Sequence, residues 1–278
     1  MIELDAFYLP PLPIVLKNCI TYILQNEKDE EYLFKNIATE VSFIDDIFSI
    51  ANKQYYCQNN PPTHNLKEAV KRIGEVGILY ILSKEYYENS FINVNIDFFQ
   101  MKKLYLHSVY VSSLAVHIAN QLHIENTKDL LIAGLFHDIG LIARSYCEKD
   151  VMRNMVKRCK QNHIDFYIAE KSENNIIHDL IGKEVGIKLG FSDRVCNLIN
   201  NHHTLEVYRE NNIDSMLNKE IDLLILADSL AHRMKFGFDD YTRNTHTSDY
   251  FLNRLNLSSG IVAKSAYETF KFANVFNI

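Results

Sequence analysis

An all-helical bundle is the fold class this sequence predicts, and three observations predict it. Breakers are scarce: the 278 residues include only nine glycines and five prolines. All five prolines lie at or before Pro62, so none interrupts the chain from Thr63 to Ile278. Apolar residues recur at intervals of three and four, the period of a helix with one buried face. A sandwich, barrel or propeller needs many turns, and turns draw on Gly and Pro. A composition 47% hydrophobic and 23% charged supplies a sizeable core and excludes a disordered chain.

Leu9-Pro10-Pro11-Leu12-Pro13 is a stiff, extended lead-in. Ile14, Leu16, Ile20, Ile23 and Leu24 then recur at near-helical spacing. A second amphipathic stretch runs from about Glu31 to Tyr56, with Leu33, Ile37, Val41, Ile44, Ile47, Phe48 and Ala51 on one side. Asn59-Asn60-Pro61-Pro62 is a break, and Asn65 is placed to cap the helix that carries Glu68, Ala69, Ile73 and Val76. Gly74 and Gly77 mark a turn within it. Asn89 to Asp97 reads as a loop or a short extended piece. The spacing predicts helices over Leu104–Leu122, after a Thr127 cap, and at 148–161, 176–189, 192–206, 219–236 and 247–274. Gly190 is the expected stop of one of these and Ser192-Asp193 the start of the next. The expected division is an N-terminal helical subdomain at 1–95 and a larger helical core at 96–278.

A net charge of −6 gives no basic footprint, so no nucleic-acid partner is expected. The five cysteines are widely spaced without a CxxC pair, which argues against a disulfide framework and for reduced thiols. The N-terminus lacks the basic-then-apolar order of a signal peptide. The longest apolar run, Leu130 to Ala143, is too short for a membrane span and contains His137 and Asp138. A cytoplasmic protein is expected. Abundant Asn, Ile and Lys without Trp suggest an AT-biased bacterial genome.

Titratable groups on faces that should be buried carry the functional clue. His107 shares a stripe with Val111, Leu114, Ile118 and Leu122, and His137-Asp138 ends the apolar run from Leu130 to Phe136. His178 aligns with Ile181 and Val185, and His202 follows Leu198 and Ile199. Asp228 sits among Leu224, Ile225 and Ala231, where a carboxylate costs several kcal/mol unless a cation, donor or metal satisfies it. A single such histidine is also what a core imidazole bonded to a backbone carbonyl looks like, and His202-His203 alone could be a surface pair. The joint pattern favours ligands. Imidazole and carboxylate groups on several helices are what a first-row divalent ion needs in a bundle. The intervals between the clusters, about thirty, forty, twenty-four and twenty-five residues, each leave room for one or two helices. An Asp beside a His can bridge two ions while the His binds one. His64, His117, His123, His163, His232 and His246 show no such pattern and read as surface or packing.

With His107, His137-Asp138 and Asp228 in this order, the sequence resembles the HD superfamily of metal-dependent phosphohydrolases. Leu135-Phe136-His137-Asp138-Ile139-Gly140 is close to that family's signature. His178, His202 and His203 match the arrangement in which further histidines hold a second metal in HD-GYP-like members. The chain is more similar, over roughly residues 7 to 240, to the HDOD (HD-related output domain) branch. The Pro-rich lead-in, Ile50-Ala51-Asn52, Ala69 to Gly74, and the stretch from His178 through Gly182, Gly186 and Leu189-Gly190 to His203 carry that likeness.

The resemblance implies an N-terminal helical subdomain packed on an HD-type helical core. It implies a metal site made of His107, His137, Asp138, His178, His202, His203 and Asp228, holding one or two divalent ions such as Fe or Mn. The branch implies a signalling output module in bacterial two-component, chemotaxis or cyclic-dinucleotide networks, acting through a signalling protein partner or a phosphorylated small molecule. The alternative is a phosphohydrolase with Asp138 as ligand and proton acceptor, for which Arg144, Lys183 and Arg233 are the nearest candidate phosphate-binding cations. Two departures weigh against a cyclic-di-GMP phosphodiesterase: Leu141 stands where HD-GYP members carry a lysine, and no GYP segment follows. A purely structural core of satisfied histidines is the third reading.

Overall fold

The computed structural model describes residues 3–25, 29–40, 42–89, 100–172, 176–209, 213–236 and 248–277. All regular structure among them is helical, as the scarcity of breakers predicts. The chain forms two compact units: Pro11–Ile92 with Lys271–Ile278, and Met1–Pro10 with Asn93–Phe270. The contiguous division expected from the sequence therefore differs at both ends. The first ten residues group with the larger unit and the last eight with the smaller.

The smaller unit holds α1 (Ile14–Leu24), α2 (Glu30–Ala38), α3 (Ile44–Ala51), α4 (Gln54–Cys57) and α5 (Leu66–Asn89), with α1 and α3 packed on α5. The amphipathic stretch expected over 31–56 is divided into three helices rather than one continuous element. Its apolar stripe still points inward, with Ile37, Ile47, Ile50 and Ala51 fully buried. Asn65 caps α5 as predicted, its Oδ1 accepting from Glu68 N at 3.1 Å. Gly74 has φ 72° and ψ 171° inside α5, so the turn anticipated there is a kink with a conformation only glycine adopts at low cost. Asn52 and Thr63 clasp the α3–α5 connection, with Asn52 Nδ2 donating to Thr63 O at 3.0 Å and Thr63 N donating to Asn52 Oδ1 at 2.7 Å. The loop expected over 89–97 lies outside the described residues, apart from Asn89 at the end of α5.

The larger unit runs α6 (Met101–Gln121), α7 (Lys128–Phe136), α8 (Ile139–Cys147), α9 (Lys149–Asn162), α10 (Phe166–Ser172), α11 (His178–Leu189), α12 (Asp193–Asn201), α13 (Ser215–Arg233), α14 (Ser248–Arg254) and α15 (Ser259–Ala273). The final residues of α15, from Lys271, group with the smaller unit. α6 packs on α7 and α13, α8 on α11, and α12 on both α11 and α7. Ser192 caps α12 by accepting from Val195 N at 3.2 Å, and Gly190 stops α11, as expected. Thr127 occupies the N-cap of α7 without a side-chain bond; Asn126 Oδ1 instead accepts from Lys128 N at 3.3 Å.

Three boundaries differ from the sequence expectation. α12 stops at Asn201, so His202 and His203 lie just past a helix end. α13 begins at Ser215, capped by Asp214 Oδ1 accepting from Leu217 N at 2.7 Å. The single helix expected over 247–274 is broken at Leu255–Ser258, where Asn256 turns left-handed at φ 52°. The span Lys128–Cys147 reaches membrane-crossing length and apolarity, but 89% of its apolar 18-residue window is buried inside the fold. It is the core pair α7 and α8, interrupted at His137-Asp138.

Candidate metal centre

Six helices of the larger unit, α6, α7, α8, α11, α12 and α13, bring polar residues to one place. His107 comes from mid-α6, His137-Asp138 from the break between α7 and α8, and His178-Asp179 from the first turn of α11. His202-His203 lie past the end of α12 and Asp228 on α13. Close approach of α8 to α11 makes this possible. A Cβ on Gly140 would lie 1.9 Å from His178 O and 2.8 Å from Gly182 N, so only glycine fits after Asp138-Ile139.

The histidines are oriented before any ligand arrives. His137 Nδ1 lies 2.9 Å from Gly134 O, His202 Nδ1 2.6 Å from Ile199 O, and His107 Nδ1 3.3 Å from Phe236 O. A carbonyl can only accept, so Nδ1 carries the proton in each and donates it. In the neutral ring the lone pair is then at Nε2, on the side facing the other residues. His178 Nδ1 is 2.5 Å from Glu170 Oε2, the carboxylate–histidine arrangement that orients metal-binding imidazoles. The ring of His203 stacks on Tyr167 at 4.8 Å.

The inward atoms form two clusters that share Asp138. His107 Nε2 lies 3.3 Å from His137 Nε2 and 3.0 Å from Asp228 Oδ1. Asp138 Oδ2 joins them, 3.3 Å from His137 Nε2. The other oxygen, Asp138 Oδ1, is 3.7 Å from His178 Nε2 and 3.7 Å from His202 Nε2. One ligand atom from each of His178, Asp179, His202 and His203 lies within 4.8 Å of the others, as holds also for His107, His137 and Asp138. His178 Nε2, His202 Nε2, His203 Nδ1 and both oxygens of Asp179 are buried and lack a hydrogen-bond partner. Buried polar atoms left in this state cost free energy unless something satisfies them. Several nitrogen and carboxylate donors converging with lone pairs inward fit a divalent first-row ion.

All seven residues expected from the sequence are in these two clusters. Three others were not expected. His232, assigned to surface or packing, has its Nε2 3.1 Å from Asp228 Oδ1 and forms a third group with His107. Its i+4 spacing from Asp228 on α13 was the available signal. Asp179 looked like an ordinary first-turn acid. Glu170 had no signal in the spacing, being held to the site through His178. The phosphate-binding expectation for Arg144 is corrected. Arg144 is 1% exposed and engaged by Glu148 at 3.0 Å, by Glu170 at 3.2 Å and by the Ile176 carbonyl. Lys183 lines a separate cleft with Arg194, Asn197 and Asn200, and Arg233 is exposed near the end of α13. Leu141 is buried.

Charge follows from these contacts. Burial opposes ionisation of Asp138 and Asp228, yet His137 beside the first and His232 beside the second hold both well below the usual carboxylate range. Burial also opposes a charge on His178, but Glu170 and Asp179 push it up to about 10. His232 is raised to about 9, Asp228 overcoming burial. Asp179 is raised, chiefly by burial, and burial then His202 and His178 hold His203 well below its usual value.

The sequence profile described as the HDOD domain matches residues 9–205, most of the chain. Among solved structures, an HDOD domain protein of unknown function from Geobacter sulfurreducens aligns with a TM-score of 0.79 at 16% identity, over 96% of this chain and 92% of that one. A candidate signal transduction protein from Marinobacter aquaeolei VT8 aligns with a TM-score of 0.74 at 16% identity, over 96% of this chain and 58% of its own. A candidate phosphohydrolase from Shewanella amazonensis SB2B aligns with a TM-score of 0.68 at 14% identity, over 97% and 93%. At these identities the likeness establishes the fold. No curated protein matches.

Proposed function

The chain belongs to the HDOD family, and from that premise we propose that it is a bacterial signalling module whose larger unit holds one or two divalent ions. The ions are Fe, Mn or similar, and the module acts through a protein partner or a phosphorylated small molecule. The observation that carries the metal reading is the set of inward, unsatisfied donors divided between the two oxygens of Asp138. Burial favours a regulatory over a hydrolytic role. His107, His137, Asp179 and His202 are fully buried and Asp138 is 6% exposed, which leaves little approach for a phosphoester. Arg144, the nearest arginine in sequence, is held by two glutamates.

The second reading, a phosphohydrolase, is favoured by the complete donor set. An ion bound there would supply an activated water at neutral pH. Asp138 would bind and orient, and would accept the proton. Turnover separates the two readings. Protein loaded with Mn or Fe is expected to leave generic phosphodiesters and nucleotides intact. Hydrolysis that disappears in His137→Ala and Asp138→Ala variants would replace the signalling reading with the hydrolase.

A further inference from the structure

Asp179 stands outside the motif order that identifies the other donors, yet it has the least satisfied side chain of the centre. It is fully buried, and neither carboxylate oxygen has a hydrogen-bond partner. Among the described residues no lysine or arginine pairs with it. Three imidazoles of the described residues lie against it: its Oδ1 is 3.3 Å from His178 Nε2, 3.5 Å from His203 Nδ1 and 3.9 Å from His202 Nε2. Neighbouring donors on one ion with bonds of about 2.1 Å are separated by about 3.0 Å in octahedral and about 3.4 Å in tetrahedral geometry. Two of the three separations are close to that range and the third is within a small side-chain adjustment of it. A helix first turn commonly carries an exposed acid as a partner for the dipole, but that explanation does not apply to a side chain with no exposure and no bond to the turn.

We propose that Asp179 is a direct ligand of the second ion, completing a set with His178, His202 and His203 that the Asp138 Oδ1 joins from the shared side. The inference rests on the metal reading above and extends it. The two clusters become matched. Each has its own carboxylate, Asp228 in the first and Asp179 in the second, and Asp138 lies between them. Asp179 fills a coordination position on the second ion that would otherwise hold water or an incoming ligand, so the second ion is the more tightly held and the less accessible.

The test uses the full chain with Mn2+ as probe, in wild type, Asp179→Asn and Asp179→Ala. Metal-free Tm, the Tm increment on adding Mn2+, and water-proton relaxation of the second Mn2+ equivalent are read. Wild type is expected to bind two equivalents. In the variants the second should weaken at least tenfold, its relaxivity should rise as a water enters, and the metal-induced increment should shrink. The metal-free Tm should change little, because losing an unsatisfied buried carboxylate offsets losing its attraction for the His178 imidazolium. A purely structural aspartate would do the reverse, lowering the metal-free Tm and leaving the increment intact, and that result overturns the proposal. Unchanged affinity and relaxivity in both variants also overturn it while the metal reading stands. A wild type that takes up no Mn2+ overturns both.

Discussion

Replacing Gly140 by Ala tests whether contact between α8 and α11 builds the centre. The added Cβ would lie 1.9 Å from His178 O, against a practical limit of 3.0 Å, so α8 and α11 must separate by at least about 1 Å there. The obstructing atoms are backbone on both sides and cannot rotate away. Overpacking of this kind costs about 3 kcal/mol, at the upper end of its usual range. Alanine returns about 1 kcal/mol through helix propensity. The net loss is about 2 kcal/mol, a Tm fall of roughly 4–8 °C for a unit of this size.

The displacement also moves His178 away from Asp138, so the second ion should bind more weakly than the first. Thermal unfolding followed by circular dichroism in excess chelator isolates the packing cost, and metal titration then reads the site. Gly260→Ala is the control. It lies in α15 with nothing within 4 Å of its Cβ position, and its Tm is expected to hold or rise slightly. A Gly140→Ala protein that melts with wild type and loads both ions normally would refute the argument that close helix approach assembles the centre.

Four further outcomes follow from the same geometry. Exhaustive chelation should lower the Tm of the isolated protein, since an ion held at a hundredfold its Kd contributes about 2.7 kcal/mol; an unchanged Tm by calorimetry counts against an occupied site. Asp228→Ala should weaken the first ion more than His232→Ala, because Asp228 contacts both His107 at 3.0 Å and His232 at 3.1 Å; equal losses in metal titration would make His232 a ligand. Glu170→Gln removes the acceptor that orients His178 and should weaken the second ion about 10–100-fold, whereas an unchanged affinity would show that α11 alone positions the ring. Because His178 is raised to about 10, above an unfolded value near 6.5, its protonation stabilises the metal-free fold fully below about pH 6.5, and that contribution is lost as pH rises through about 10. A metal must displace this proton, so uptake should release protons at neutral pH and tighten as pH rises over the same window, read by calorimetry in buffers of differing ionisation heat.

The residues legible in the sequence were those whose polarity contradicted the face they occupied. His107, His137, His178, His202 and Asp228 each interrupt an apolar period, so burial was inferable without coordinates. Asp138 and His203 were legible as neighbours of such residues. His232 and Asp179 were hidden because each occupies a position with an ordinary electrostatic explanation, a histidine in the last turn of α13 and an acid in the first turn of α11. Periodicity was least able to place helix ends. Asn201 to His203 continue the polarity pattern of α12, yet the helix stops at Asn201, and that stop is what lets two consecutive histidines reach one cluster. On a continuing helix they would diverge by about 100°.

As a ligand of the second ion, Asp179 would set this centre apart from one made only of the family motif. In the motif order the second cluster has three neutral imidazoles and half of one carboxylate, a set that leaves most of an ion's charge to water or an anionic substrate. Bound to the proposed second ion, the Asp179 carboxylate would add negative charge inside the cluster, and burial makes its attraction for a cation stronger than at a surface. That charge competes with an incoming phosphate for the same ion. A centre that already satisfies its metal from within has less to offer a substrate and more to hold α8, α11 and α12 in one arrangement. On the proposed reading, metal occupancy would then set the shape of the larger unit, which suits a module that passes on a signal through a partner.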